Sequence, residues 1–444
     1  MIPVLKPLLA LAFTLSFTLP ARAEIEIQQV ETPAGFKAWL VEEPSIPFTA
    51  LELRFRGGAA LDLPGKRGAT NLMVALLEEG AGDLDSRGFA EATESLAAQF
   101  RYDAGQDAIG VSARFLTENR EAAVDLLRQS LIAPRFDQDA LDRVRAQVLS
   151  GIRSDAKDPD AIADATFDAL VFGDHPYGSD LSGTEESVTA LTREDIMAAH
   201  QAGMTRDRVV IAAAGDITAE DLSALIDGLL GDLPDSTQDL PEDVAVETTA
   251  GVTVVPFETP QSVAVFGQRG LARDDPDFFA AYVMNTILGA GGFEARLMQE
   301  VREKRGLTYG VYSYLLPMDH AALYMGRVAS ANDRIAEAIA VIRDEWAKLA
   351  EAGVTQAELD QAKTYLTGAY PLRFDGNGPI AQILAGMQMD GLTPDYVTDR
   401  NAMVEAVTLE DVKRVAADLL DPEALRVVVV GQPEGFEDAD TATP

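Results

Sequence analysis

No cysteine occurs in the 444 residues. Disulfides, thiolate metal sites and a cysteine nucleophile are excluded, and stability must come from packing. Histidine is nearly as scarce. His175, His200 and His320 are the three, and their separations match no metal-ligand spacing, so each reads as structural. Positive charge is short as well: Lys and Arg total 36 against 72 Asp and Glu, a formal net charge of −36. Such a surface repels phosphate backbones and anionic lipid, which excludes nucleic acid as a partner. Long apolar runs are missing except one near the start, residues 8–19, which is shorter than the ~20 residues a membrane-spanning helix needs. With Lys6 before it and Ala21-Arg22-Ala23 after it, residues 1–23 read as a secretory signal. The expected mature chain begins at Glu24, has no integral membrane segment and resides beyond the inner membrane, in the periplasm.

What remains is the composition of a folded chain, 47% hydrophobic and 24% charged. Short strand-like runs occupy residues 25–30, 38–41 and 50–55, the last alternating as a half-buried strand does. Helical stretches are expected at 69–77, 87–99, 117–132 and 137–154, with a strand pair near 100–102 and 109–113. The later half then echoes the earlier one. Ala140-Leu141-Asp142-Arg143 returns as Glu358-Leu359-Asp360-Gln361, an offset of 218. Leu191-Thr192-Arg193-Glu194-Asp195-Ile196 returns as Val407-Thr408-Leu409-Glu410-Asp411-Val412, an offset of 216. The buried-strand runs 209–214 and 427–430 end at Gly215 and Gly431, again 216 apart. Repeats this long are whole domains rather than solenoid units. The expected fold is α+β: two homologous domains, 24–231 and 251–433, each a mainly antiparallel sheet with helices packed on one face. Between them, 232–250 is acidic, punctuated by proline and reads as a linker. The acidic tail, 434–444, reads as frayed.

The most specific stretch is 289–314, GAGGFEARLMQEVREKRGLTYGVYSY. Gly289, Gly291 and Gly292 form a turn that opens a short helix with Phe293, Leu297 and Val301 along one face. Gly306 stops it, and residues 307–312 read as a strand. A helix precedes the glycines, which rules them out as a dinucleotide fingerprint. The cluster Glu300, Arg302, Glu303, Lys304 and Arg305 also fits a solvated helix end with local ion pairs.

The run VREKRGLTYGVYS resembles the C-terminal-half signature of the pitrilysin/insulinase family of zinc peptidases, and the resemblance extends over residues 25–433. In that family an Arg and a Tyr at this spacing help to hold substrate; Arg302 and Tyr309 match them. The family's zinc motif, HxxEH, sets two His on one helical face with a Glu beside them to polarise the bound water. Here GKRGATNLMVALLEEG stands in that place, so the matched positions are Asn71, Val74 and Ala75, and the distal Glu position falls at Gly151. Val and Ala offer no lone pair, and Asn is a poor zinc ligand. The resemblance therefore implies a zinc-free subunit, similar to the non-catalytic subunit of mitochondrial processing peptidase and to bacterial heterodimeric homologues. It implies no cofactor in this chain, zinc in a homologous HxxEH partner subunit, and a peptide substrate. Arg302 and Tyr309 would bind substrate and stabilise the transition state, and Gly289, Gly291 and Gly292 would form a substrate loop. A non-catalytic scaffold or peptide-binding pseudoenzyme of the same fold is the alternative.

Overall fold

The computed structural model describes residues 26–246, 248, 250–437 and 439–442; the expected signal, 1–23, lies outside them. The first half contributes β1 (Gln28–Glu31), β2 (Lys37–Glu42), β3 (Phe48–Arg56), a small hairpin of β4 (Gly80–Ala81) and β5 (Leu84–Asp85), then β6 (Gln99–Ala104), β7 (Ala108–Leu116) and β8 (Val209–Gly215). The second contributes β9 (Gly251–Pro256), β10 (Gln261–Arg269), β11 (Val311–Pro317), β12 (Ala322–Ala331), β13 (Arg426–Gly431) and β14 (Asp440–Thr441). The two six-stranded sheets have the orders β1-β2-β8-β3-β7-β6 and β14-β9-β13-β10-β12-β11. Position by position these are the same sheet. In each, the strand ending in the echoed glycine (β8, β13) pairs parallel with one neighbour and antiparallel with the other. The echoed Thr residues cap equivalent helices: Thr192 and Asp195 form a reciprocal capping box, as do Thr408 and Asp411. The two α+β domains read from the repeats are thus present.

The tail differs from a frayed end at one point. Asp440 and Thr441 pair with Thr253 and Val254 of β9, and Ala442 donates from its backbone to Val254 O at 3.0 Å. The acidic composition did not reveal this because the bonds are made by the backbone. The two sheets therefore complete the same edge from opposite directions: β1 precedes β2 in the chain, whereas β14 follows β13.

Strand β3 also departs from expectation. Instead of one buried and one solvated face, both are covered. Leu51, Leu53 and Phe55 join the main core of the first half, while Phe48 and Ala50 join a separate cluster with Trp39, Val41, Ala212 and Ala214. That second cluster is closed by Ile380, Ala381, Leu384, Ala385 and Met387, on the helix Asn377–Met389 from the second half. The exchange is reciprocal. The helix Pro159–Phe172 of the first half brings Ile162, Ala163, Phe167 and Phe172 against Val263, Val265, Val428 and Val430 on the second sheet. The two helices start 218 residues apart, the offset of the repeat. At roughly 1.5–3 kcal/mol per large apolar side chain buried, each exchanged helix contributes on the order of 5–10 kcal/mol.

Polar contacts fix the exchanged helices in register. Arg56, at the end of β3, donates to Gln388 O at 3.1 Å and Met389 O at 2.6 Å, satisfying carbonyls at the helix C-terminus, where a cation also complements the helix dipole. Arg327 on β12 pairs with Asp160, at 2.6 Å, and with Asp164 of the other exchanged helix. The linker is strapped to both halves. Gln238 donates to Leu61 O at 2.8 Å, Val244 N donates to His320 O at 2.9 Å, and Val246 is buried. His175 Nε2 meets Glu242 O at 3.1 Å, and His320 Nδ1 meets Asp243 Oδ1 at 3.1 Å. His200 Nε2 lies 2.8 Å from Leu131 O. All three histidines are engaged in structural contacts.

The described residues of 232–250 carry no helix or strand, so a protease should cut there first. Because each sheet keeps a helix of the other half, the two fragments should coelute on a sizing column in native buffer and separate in denaturant. Fragments that separate without denaturant would contradict the exchange as a structural bond.

Candidate functional site

The helix Phe278–Asn285 is almost wholly buried and runs on into a wider turn, Thr286–Ala290. Gly289 lies inside this continuation, against β11: a Cβ there would stand 2.1 Å from Ser313 Oγ and 2.5 Å from the Ser313 nitrogen. Only glycine permits that approach, and Asn285 Oδ1 accepts from Ser313 Oγ at 2.7 Å beside it. Gly291 and Gly292 make the actual turn, the latter at φ 61° with nothing around its missing Cβ. Of the three glycines, two are thus in the exposed loop and one is a packing residue.

The short helix after the turn divides differently from its four-residue spacing. Leu297 and Val301 are buried, but Phe293 is 60% exposed, because it sits in a separate 3₁₀ turn, Gly292–Glu294. From there Phe293 meets Arg302, whose guanidinium lies 4.7 Å from the ring centroid. The helix-end ion pairs are made by the neighbours instead. Lys304 and Arg305 both bond Glu300, at 2.5 and 2.8 Å. Among the described residues Arg302 has only Glu303 as an ionic partner, at 3.7 Å. The solvated-helix pattern accounts for Lys304 and Arg305 and leaves Arg302 set apart on the aromatic ring.

Tyr309 is not in a strand. Strand β11 begins at Val311, and residues 307–310 are an irregular loop nailed down around the tyrosine. Thr308 Oγ1 bonds Ala329 O at 2.6 Å and Gly310 O at 2.8 Å. Ser330 Oγ donates to Leu307 O at 2.5 Å, and Arg334 donates to the carbonyls of Arg305 and Gly306, at 2.9 Å each. Leu307 and Thr308 are buried, while Tyr309 is 85% exposed. A large aromatic side chain on a tightly fixed backbone, with no packing function of its own, is available to a ligand.

One supporting residue was not singled out from the sequence. Arg296 makes a bidentate pair with Glu358, at 2.6 and 2.9 Å, and donates to Gly353 O at 3.1 Å, tying the motif segment to the helix Gln356–Ala369. Glu358 also closes the capping box with Thr355. The only sequence signal was Thr355 three residues before Glu358, the capping-box pattern.

In the first half, Asn71, Val74 and Ala75 lie on the helix Ala69–Ala75. Val74 is 4% exposed and Ala75 packs on the same core. Gly151, on the helix Gln138–Asp155, is exposed with open space around it. Glu79, near the end of the first of these helices, is taken up by Arg143 and Ser86, both at 2.5 Å. Among the described residues no three His, Asp or Glu converge as a metal site would require.

Partial burial raises the Glu358 carboxyl, but the bonds from Arg296 and Thr355 outweigh it and hold the group down at about 2, below its ordinary 4.5. A depressed carboxyl stabilises the fold above its unfolded value, and that contribution disappears as pH falls from about 4.5 towards 2. Glu358→Gln should therefore cost about 1–2 kcal/mol at pH 7 in urea unfolding, and less at pH 3. An equal cost at both pH values would remove the charge from the account.

Comparison with known proteins accords with this geometry. Residues 37–185 match the model of the insulinase family (Peptidase family M16), and residues 190–366 match that of the peptidase M16 inactive domain. The chain is 28% identical to the non-peptidase homolog YmxG of Helicobacter pylori, over 78% of this chain and 80% of that one. It is 30% identical to an uncharacterized zinc protease of Mycobacterium bovis, over 80% of this chain and 81% of the other. The crystal structure of a peptidase M16 inactive domain from Pseudomonas fluorescens superposes with a TM-score of 0.86 at 31% identity, covering 92% of this chain and 98% of that one. Similarity of this extent in both sequence and fold makes the chain a member of the insulinase family of peptidases, M16.

Proposed function

We propose that this chain is one half of a heterodimeric metallopeptidase. It would present Arg302 and Tyr309 to a peptide held on a homologous subunit that carries the zinc. The observation that carries the reading is Tyr309: 85% exposed on a backbone fixed by Thr308, Ser330 and Arg334, seven residues from an arginine whose ion pair, with Glu303 at 3.7 Å, is a long one. A phenol and a guanidinium can both donate hydrogen bonds to a carbonyl oxygen as it becomes an oxyanion. The partner would supply the zinc-activated water that attacks it. In this reading neither half would suffice, because the positions Asn71, Val74, Ala75 and Gly151 offer no ligand set and the zinc-bearing half would rely on these donors. The name of the Helicobacter relative, a non-peptidase homolog, supports a chain that does not cleave by itself.

The substrates in this reading are exported peptides in the periplasm, which agrees with the signal-like residues 1–23. An extended peptide can add to a sheet edge, where its backbone pairs as one more strand. β6 and β11 are such edges.

The test mixes the mature chain with a zinc-bearing HxxEH homologue from the same organism and follows cleavage of a fluorogenic peptide. Losing one oxyanion donor typically costs about 100- to 1,000-fold in turnover, or ~3–4 kcal/mol. Arg302→Ala and Tyr309→Phe should each slow the mixture on that scale while the complex still forms on a sizing column. Variants that assemble and cleave at the wild-type rate would leave the pair a structural role, and the chain would then be a scaffold or peptide-binding pseudoenzyme.

A further inference from the structure

A cavity of about 660 Å³ opens on the second half, away from the glycine turn. Its walls are the helix Phe278–Asn285, the exchanged helix Asn377–Met389, the helix Tyr396–Ala406 and the turn Tyr370–Phe374. The volume suits a small ligand. In a chain with twice as many acidic as basic residues, three arginines line this one space, Arg273, Arg373 and Arg400, against a single carboxylate, Asp390.

The arginines are not equivalent. Arg273 is neutralised by Asp390 at 3.4 Å and lies over the Phe278 ring, 4.3 Å from its centroid. Arg400 is different. It is 4% exposed, with no carboxylate within salt-bridge distance among the described residues. Its partners are neutral: Leu366 O at 2.7 Å, Asn401 Oδ1 at 3.0 Å, the Tyr282 hydroxyl at 3.4 Å, and the Tyr370 ring face at 4.7 Å. A buried guanidinium without a counter-anion is costly, and cation–π contacts offset only part of that cost. Three of its five N–H groups are used by these bonds. Arg373, exposed at the rim, makes no ion pair among the described residues. The Tyr370 hydroxyl is buried without a hydrogen-bond partner, on a residue 6% exposed that lines the same cavity. Native structures rarely leave such a group unpaired.

An anion would complete this set. It would neutralise Arg400, engage Arg373 and give the tyrosine hydroxyl an acceptor, while Ile383, Met387 and Leu392 present apolar surface to whatever body carries the charge. Asp390 already occupies Arg273 and repels further negative charge, which favours a monoanion over a phosphate dianion. We propose that this cavity binds a carboxylate on an apolar body, supplied by the free carboxyl end of a peptide with a hydrophobic last residue. This deepens the reading of the chain as a peptide-binding subunit and rests on it. The same chemistry is shared by a small aryl carboxylate.

The test uses the mature chain alone, with no partner and no cleavage, so its failure is distinct from failure of the catalytic reading. Calorimetry compares a pentapeptide of four alanines and a terminal phenylalanine, its C-terminal amide, 3-phenylpropionate and phenyl phosphate. The acid should bind at least about tenfold tighter than the amide, the loss expected when a charge-assisted bond to a guanidinium is removed. Arg373→Gln, an exposed change that leaves folding intact, should weaken the acid several-fold and leave the amide unchanged; Tyr370→Phe should do the same. Phenylpropionate binding as tightly as the acid peptide supports the carboxylate site and assigns it to a free acid. Acid and amide binding alike, or neither binding, overturns the proposal, as does tighter binding of phenyl phosphate.

Discussion

Each sheet of this protein is buried on both faces, and neither half can cover both faces with its own helices. That constraint organises the molecule. The second face of the first sheet, with Trp39, Phe48 and Ala212, is closed by the helix Asn377–Met389, and that of the second sheet by the helix Pro159–Phe172. Arg56, Arg327 and the strapped linker then lock the orientation of the halves. A duplicated gene would make two similar domains; the exchange makes them one body and removes the freedom of a hinge at 232–250. A movement between halves would have to slide an apolar helix across a sheet, which close-packed interfaces resist.

The site depends on this rigidity. Its segment is held by Gly289 against β11, by Arg296 on Glu358, and by Arg334 on the carbonyls at the helix end. These contacts are made by backbone and by residues other than Arg302 and Tyr309. Tyr309 is thus presented without being used in packing, and Arg302 keeps contact only with Phe293 and Glu303 among the described residues, the arrangement that the proposed pair of donors would need. At the corresponding helix of the first half the opposite has happened. Val74 is part of the core there and Ala75 packs against it, so these side chains contribute apolar burial.

Much of this was legible in the sequence, because repeats and motifs are local. The 216–218 offset marked the two domains, and the echoed segments at 192–196 and 408–412 fall on equivalent helices. The helix exchange was not, since the apolar residues of Pro159–Phe172 show that a face is buried but not which sheet buries it. The loop at Tyr309 was hidden for a related reason. Leu307, Thr308, Tyr309, Val311 and Tyr312 have strand-forming side chains, and the Thr308 bonds that hold the loop out of the sheet depend on a neighbour, Ala329, 21 residues away. The short strand at Asp440 is invisible to composition because pairing there needs only backbone.

The central claim is that this chain completes a site it cannot form alone. It is tested most directly by titrating the chain into a fixed amount of its zinc-bearing homologue and measuring the rate of peptide cleavage. The account predicts negligible cleavage by either chain separately and a rate that climbs to a plateau at one to one. A homologue that cleaves at full rate before any of this chain is added, or cleavage by this chain alone, would contradict it.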